Sequence, residues 1–560
     1  MTHASHPSGS SRGPIMAIGA LIAAYAVAAV FGAPQYLTEI IAKAQHAGHA
    51  PEQIEHPDDA HEAPAAAEGH ADHAPPEHAD ESAAEAAEQH QAGHEKITDY
   101  PPLVMVVPFA LLLGAIAVLP LIPQTAHWWE SNLNRFLVAA VLAAITLAYY
   151  FFFYDHPIEG HWPAHHITHP NSSGPNWLET WDVFANAMLS EYVPFIVLLF
   201  SLYTISGGIR LTGDLPAHPL TNTVFLAIGA VLASIIGTTG AAMLLIRPLL
   251  ETNAERKFQS HTVVFFIFVV CNCGGLLLPT GDPPLFLGYL MGVPFLWTTQ
   301  LWPEYLFVNG CLLVIYYVWD RFWYYPHEEK RDIVRDETQI RPLRISGLFP
   351  NGLLLLGVIL SVALLDPTKT LPGTDWHPWL YLRELIQLGL VLLSLALGDP
   401  RTRLANRFNY HAIIEVAALF FGIFICMQPA LQILAVRGPN LGLTEPWHFF
   451  WATGSLSSFL DNAPTYVVFF KTAQSLTAAG GMTGADNVVA GVAEHLLIAI
   501  SLGAVFMGAN TYIGNGPNFM AKSIAESAGV KMPSFFGYML YSCVFLIPLF
   551  VLTTFLFVQR

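Results

Sequence analysis

Charge is what this sequence lacks most: of 560 residues only 12% are Asp, Glu, Lys or Arg, and Lys and Arg together number 24. Soluble domains carry about 25% charged residues, so an ordinary water-exposed globular body is excluded, and the shortage of basic residues excludes a nucleic-acid surface. Cysteine is scarce too. The five present, Cys271, Cys273, Cys311, Cys426 and Cys543, all fall in apolar stretches, which argues against a secreted disulfide framework and for free buried thiols. No further Cys or His stands beside the Cys271/Cys273 pair to complete a soft-metal site. What fills the chain instead is apolar: 53% of residues are hydrophobic, the mean hydropathy is +0.45, and many runs approach the length that crosses a bilayer. The expected fold is an all-α polytopic membrane protein whose main partner is the lipid bilayer.

The formal net charge of −18 comes largely from one hydrophilic insertion. Residues 1–35 read as an N-terminal transmembrane helix or signal anchor, because an apolar run at 14–33 follows Arg12 and Pro34 suits signal cleavage poorly. Residues 36–100 read as an extracytoplasmic loop. Its 45–96 portion is rich in Ala, Glu, Asp, Pro and His, including His46, His49, His56, His61, His70, His73, His78, His90 and His94. Such a composition buries too little apolar surface to fold alone; it suits a solvated disordered loop, or a weak metal or proton buffer.

Beyond it, residues 101–345 and 346–560 read as two transporter repeats. Spans fall at 103–122, 136–154, 192–209, 305–324, 348–365, 380–397, 411–428 and 535–558, and the second is followed by a loop bearing His161, His165, His166 and His169. The basic loop with Arg321, Lys330, Arg331, Arg335, Arg341 and Arg344, and the later Arg401, Arg403 and Arg407, mark the cytoplasmic side. Four further apolar runs are interrupted. Residues 223–250 break at Gly237-Thr238-Thr239-Gly240, and 447–472 at Ser457, Ser458, Asp461, Asn462 and Pro464; these suggest re-entrant hairpins. Residues 260–293 break at Pro279, Gly281, Asp282, Pro283 and Pro284, and 494–519 within FMGANTYIGNGPN; these suggest broken helices. The expectation is about eleven transmembrane helices with two hairpins and two broken helices.

The order span, hairpin, broken helix occurs twice. Sliding the halves places Thr239-Gly240-Ala241-Ala242 on Asp461-Asn462-Ala463-Pro464, and Gly281-Asp282-Pro283-Pro284 near Gly514-Asn515-Gly516-Pro517. The basic loops put the two hairpins on opposite faces, so the repeats are inverted, an arrangement that builds a midplane binding site. Unwound backbone is tolerated at membrane depth only where it is buried in protein or lines a cavity.

Asp461 and Asp282 sit at such breaks, and an intramembrane carboxylate is a functional candidate by default. Each also suits a half-helix N-cap. Neutral oxygen donors surround them: Thr238, Thr239, Asn272, Thr280, Ser457, Ser458, Asn462, Thr465, Asn510, Thr511, Asn515 and Asn518. Hard cations want oxygen ligands, whereas half-helix N-termini suit carboxylates. Two acids and no equally central Arg or Lys favour a cation or proton. Arg247 and Lys471 are expected to snorkel, and Glu191, Glu415, His411 and the Arg383–Glu384 pair to lie at interfaces. No nucleophile–base pair or phosphate loop stands near the tips, so the chain does not read as an enzyme.

The segments SSFLDNAPT, GNGPNFMAK and NCGGLLLPTGDPPLFL resemble the ion transporter superfamily, which includes NhaD-type sodium/proton antiporters, arsenite and citrate permeases and divalent-anion/sodium symporters. The resemblance covers most of the chain after about residue 100. It implies a scaffold with a mobile transport domain, an elevator-type motion, a homodimer, and a bacterial inner-membrane location. The Ser-Asn-Thr triplets of the dicarboxylate branch are missing, while the Asp461-Asn462 tip resembles the antiporter and arsenite-permease branches. The expected function is therefore Na⁺(Li⁺)/H⁺ antiport, with Asp461, helped by Asp282, binding transported Na⁺ or a proton and with no cofactor. The alternative is a citrate or other organic-anion permease coupled to Na⁺ or H⁺, in which Thr238, Thr239 and Asn462 donate to carboxylates. A third reading is a membrane-anchored metal-binding or sensor protein built around the His-rich loop.

Overall fold

A computed structural model describes residues 12–48, 99–171, 174–329, 331, 341–480 and 487–559. The structure is 73% helical, and among the described residues its strands form three two-stranded antiparallel pairs. Among the described residues six helices are long and apolar enough to cross a bilayer: Gly13–Val30, Asn132–Phe152, Trp177–Ser206, Pro219–Ile236, Trp297–His327 and Phe535–Val558. Two bent pairs, Leu103–Val118 with Pro123–Trp129 and His411–Cys426 with Gln428–Leu441, bring the number to eight if each is one span. Ser260–Gly275, Leu348–Leu364 and Glu494–Asn510 are shorter apolar helices. The expected count of about eleven includes such short and interrupted runs, because apolar length alone does not register where a proline or glycine stops a helix.

The outer faces are apolar, with Val141, Ile145, Val314, Leu353 and Phe555 among the exposed side chains. That is the inverse of a soluble surface and suits contact with lipid. The hydrophilic stretch expected from residue 36 begins as helix: after a turn at Gly32 the chain forms Ala33–Gly48. The Thr38 hydroxyl accepts from the Leu380 amide at 2.9 Å, and the Tyr25 hydroxyl donates to the Leu380 carbonyl at 2.9 Å, so these two helices dock where the Leu382–Leu397 helix begins. The His-rich repeats from His49 to His94 lie outside the described residues.

Both interrupted pairs fold back on themselves. Helices Pro219–Ile236 and Thr238–Thr252 are joined by Gly237 alone. Its φ of +82° is a conformation that favours glycine. The Asn222 and Asn253 amides exchange reciprocal hydrogen bonds of 2.7 and 3.0 Å, which holds the far ends of the two arms side by side. The second pair, Pro446–Ser457 and Asn462–Ala478, likewise brings Phe449 and Phe469 to 6.5 Å between ring centroids. Each returning arm packs on a half-helix from the other repeat: Thr238–Thr252 on Gly516–Ser527, and Asn462–Ala478 on Pro283–Leu290.

A buried ion cluster anchors the first hairpin. Arg256 makes two bonds to the Asp320 carboxylate, of 2.9 and 2.5 Å, and one of 3.3 Å to Glu328; His261 Nε2 lies 3.0 Å from Asp320. Glu328 also accepts the Lys257 and Phe258 amides at 2.8 and 3.1 Å. Arg383 and Glu384, in the first turn of the Leu382–Leu397 helix, are buried and paired at 2.6 Å, with the guanidinium over Tyr289.

Replacing Asp320 by Ala leaves the Arg256 guanidinium buried and without its fork partner, and the expected loss is about 3–5 kcal/mol. Thermal unfolding in detergent should show a clearly lowered midpoint for Asp320→Ala and an unchanged one for Lys43→Ala, which removes only an exposed pair with Glu39.

Candidate functional site

The centre of the molecule is the Asp282 carboxylate, 2% exposed. Asp282 is the N-cap residue of Pro283–Leu290, and its extended backbone (φ −142°, ψ 143°) turns the side chain away from that helix, to which it makes no capping bond. Instead one carboxylate oxygen accepts from the Thr238 hydroxyl at 3.0 Å and from Asn515 Nδ2 at 3.1 Å, and the other accepts from Asn462 Nδ2 at 2.6 Å. These donors come from the first hairpin tip, the second broken helix and the second hairpin tip. Among the described residues, no Lys, Arg or His side chain hydrogen-bonds the carboxylate.

The two breaks are built alike. Asn515 caps Gly516–Ser527 with φ −153° and ψ 140°, almost the conformation of Asp282, and also makes no capping bond of its own. The sequence alignment of Asp282 with Asn515 therefore joins two residues in equivalent places that touch one another. A Cβ on Gly281 would strike the Gly275 carbonyl, and a Cβ on Gly514 the Gly508 carbonyl; both glycines let the unwound chain cross itself. At the tips the structural register differs by two residues from that alignment. Thr238 and Asn462 each begin a returning helix, so they are the matching positions, and both reach Asp282.

Asn272 Nδ2 donates to Asn518 Oδ1 at 2.7 Å, linking the two breaks, and to the Ile267 carbonyl at 2.8 Å. Asn518 Nδ2 in turn satisfies the Gly508 and Thr511 carbonyls at 2.9 Å each, and Asn515 Nδ2 reaches the Cys271 carbonyl at 3.1 Å. Ser458 accepts from Asn510 Nδ2 at 2.9 Å and lies 3.1 Å from the Met507 carbonyl, while the Thr511 hydroxyl donates to the Ser458 carbonyl. Ser457 donates to the Ala504 carbonyl at 2.8 Å. Thr280 donates to the Ile235 carbonyl at 3.2 Å, covering an end carbonyl of the first hairpin arm. Thr465 bonds back to the Asp461 carbonyl at 3.0 Å, within its own helix. Thr239 is half-buried and outside the Asp282 contacts.

Asp461 is placed differently from Asp282. Its Oδ1 accepts the Ala463 amide at 3.2 Å, an N-cap of the returning hairpin helix. Ser234 belongs to the framework and is hidden inside an apolar run: its hydroxyl donates to the Gly274 carbonyl at 2.6 Å and accepts the Leu277 amide at 3.2 Å. Nothing in its sequence neighbourhood marks it.

Three amide oxygens of the residues named here, Asn272 Oδ1, Asn462 Oδ1 and Asn510 Oδ1, are buried without a hydrogen-bond partner. The Asn462 amide cannot turn to spend its oxygen, because its Nδ2 must face the carboxylate. A buried unspent oxygen beside a carboxylate is what a hard cation would use.

A family model described as "Putative citrate transport" (CitMHS_2) matches residues 98–558. The chain belongs to that family. It is a multi-pass membrane protein with a transporter's role, and both hairpins, both breaks and Asp282 lie inside the matched residues. No curated protein matches the sequence significantly.

Because Asp461 caps a helix, Asp461→Ala should cost about 1 kcal/mol, visible as a modest drop in the thermal midpoint of the purified protein. Asp461→Asn, which keeps an acceptor at the cap, should recover most of it.

Proposed function

We propose that the protein carries a carboxylate substrate of the citrate class across the membrane, in symport with a proton or Na⁺ held at Asp282. The observation that carries this reading is a buried carboxylate, held only by neutral donors, at the meeting point of both hairpin tips and both breaks in a chain of this family. A bare charged carboxylate is expensive in a low-dielectric interior. A proton or a cation removes that cost, so the loaded carrier reorients more readily than the empty one, and the two fluxes are coupled.

Four helices begin around Asp282, at Thr238, Pro283, Asn462 and Gly516. Their positive dipole ends favour a carboxylate substrate where no Lys or Arg does. Asn462 Oδ1 supplies a neutral ligand for Na⁺ beside the carboxylate. In this reading residues 101–345 and 346–560 are inverted repeats of one carrier, working as a homodimer in a bacterial inner membrane.

Na⁺(Li⁺)/H⁺ antiport at the same carboxylate is the second reading. The absence of a cationic side chain from the Asp282 contacts among the described residues favours it, since a cation needs none. Proteoliposomes separate the two. Labelled citrate should enter saturably when an inward Na⁺ or proton gradient is imposed, and Na⁺ or Li⁺ alone should release no protons from acid-loaded vesicles. Proton release by Na⁺ or Li⁺ with no citrate uptake would replace the proposal with antiport.

A further inference from the structure

The loop between the Asn132–Phe152 and Trp177–Ser206 helices plays no part in the transport reading, yet it is folded. Its strands Ile158–Gly160 and His166–Thr168 pair antiparallel, with Gly160 opposite His166. A Cβ on Gly160 would run into the His166 ring, so glycine lets that ring lie across the strand. There His166 Nε2 lies 3.2 Å from Asp182, whose other oxygen accepts from Thr168 at 2.5 Å. Asn186, 5% exposed, fixes the backbone of the loop. Its Oδ1 accepts the His161 amide at 2.6 Å and its Nδ2 donates to the Glu159 carbonyl at 2.8 Å. Asn186 opens a π-helical stretch, Asn186–Tyr192, within the long helix, an irregularity frequent at functional sites.

Held in this way, Glu159, His161 and His165 turn their ligand atoms toward one another, all within 4.8 Å. The His161 and His165 Nδ1 atoms are 3.2 Å apart, and His165 Nδ1 is 3.1 Å from Glu159 Oε1. Two metal–ligand bonds of about 2.0–2.1 Å set at a tetrahedral angle span about 3.3 Å between their donor atoms. The observed separations are therefore close to the edges of a zinc coordination polyhedron. The donor set, two imidazoles and one carboxylate, is a common three-residue zinc set that leaves a fourth position for water. Glu159 and His165 are solvent-exposed, which leaves that position open.

We propose that Glu159, His161 and His165 form a binding site for a divalent transition-metal ion of the zinc class, pre-positioned by Asn186 and separate from the Asp282 site. The Lys471 ammonium, on the returning arm of the second hairpin, lies close enough to Glu159 and His161 to act on them electrostatically. Glu191, half-buried in the long helix, is within electrostatic reach of the same ammonium. A bound dication would thus lie within electrostatic reach of an arm of the second hairpin, with Glu191 offsetting part of the repulsion from Lys471.

The test uses the full-length protein in detergent, stripped with EDTA and titrated with ZnCl2 against a chromophoric chelator while thermal unfolding is followed. One tight equivalent per chain is expected, and it should raise the unfolding midpoint, because only an ion bound to the folded state does so. The His161→Ala/His165→Ala pair should weaken that equivalent at least about a hundredfold and abolish the midpoint shift. His165→Gln, at an exposed position, keeps the variant comparison valid if the double variant unfolds early. Deleting residues 49–98, which contain eight further histidines, should leave the tight equivalent in place and remove only weaker ones. The proposal is overturned if the wild type shows no tight equivalent, if the equivalent survives in the histidine variants, or if it disappears with residues 49–98.

Discussion

The arrangement depends on one buried carboxylate being satisfied by three neutral groups from three separate elements. Asp282 draws Thr238 from one hairpin tip, Asn462 from the other and Asn515 from the opposite break to within hydrogen-bonding distance. Without those donors the carboxylate would stand unpaired among the four helix ends. Without the carboxylate, the hydroxyl and two amides would be buried donors with nothing to bond. The mutual need ties together both halves of the sequence, some 180 to 233 residues apart.

The unwound backbone around this point follows the same logic. Each break exposes carbonyls and amides that lipid cannot satisfy, and the side chains nearest them are those that can: Asn518 for Gly508 and Thr511, Thr280 for Ile235, Ser234 for Gly274 and Leu277. Further out, the Arg256–Asp320–Glu328 cluster fixes the outer end of the first hairpin to the helix Trp297–His327. Charged pairing thus sits towards the outer end of this hairpin, and neutral donors around one carboxylate at the centre.

Much of this was legible in the sequence, because glycine, proline and aspartate inside apolar runs have few other uses. The four breaks lie where Gly237, Asp461, Asp282 and Asn515 put them, and membership of a transporter family over 98–558 agrees with the resemblance carried by those segments. The relative roles of the two aspartates were not legible. Both precede a helix start, and only the backbone angles at Asp282 turn its side chain inward, while Asp461 spends an oxygen on Ala463. The hairpin register was hidden as well, since Thr238 and Thr239 look alike until one of them meets Asp282. Ser234 and the folded His-bearing loop gave no periodic signal, because long-range hydrogen bonds define them. The preference for antiport over carboxylate transport rests on two central acids without an equally central Lys or Arg and on the missing Ser-Asn-Thr triplets, whereas the family to which the chain belongs points to the citrate-type alternative.

The measurement that tests the account most directly is the ion dependence of substrate uptake by reconstituted Asp282→Asn and Asp461→Asn proteins, each matched to wild type for thermal stability. If Asp282 holds the coupling ion, Asp282→Asn loses gradient-driven uptake while Asp461→Asn keeps it at a reduced rate. Wild-type ion dependence in Asp282→Asn, with loss confined to Asp461→Asn, would contradict the account and move the coupling site to the second hairpin tip.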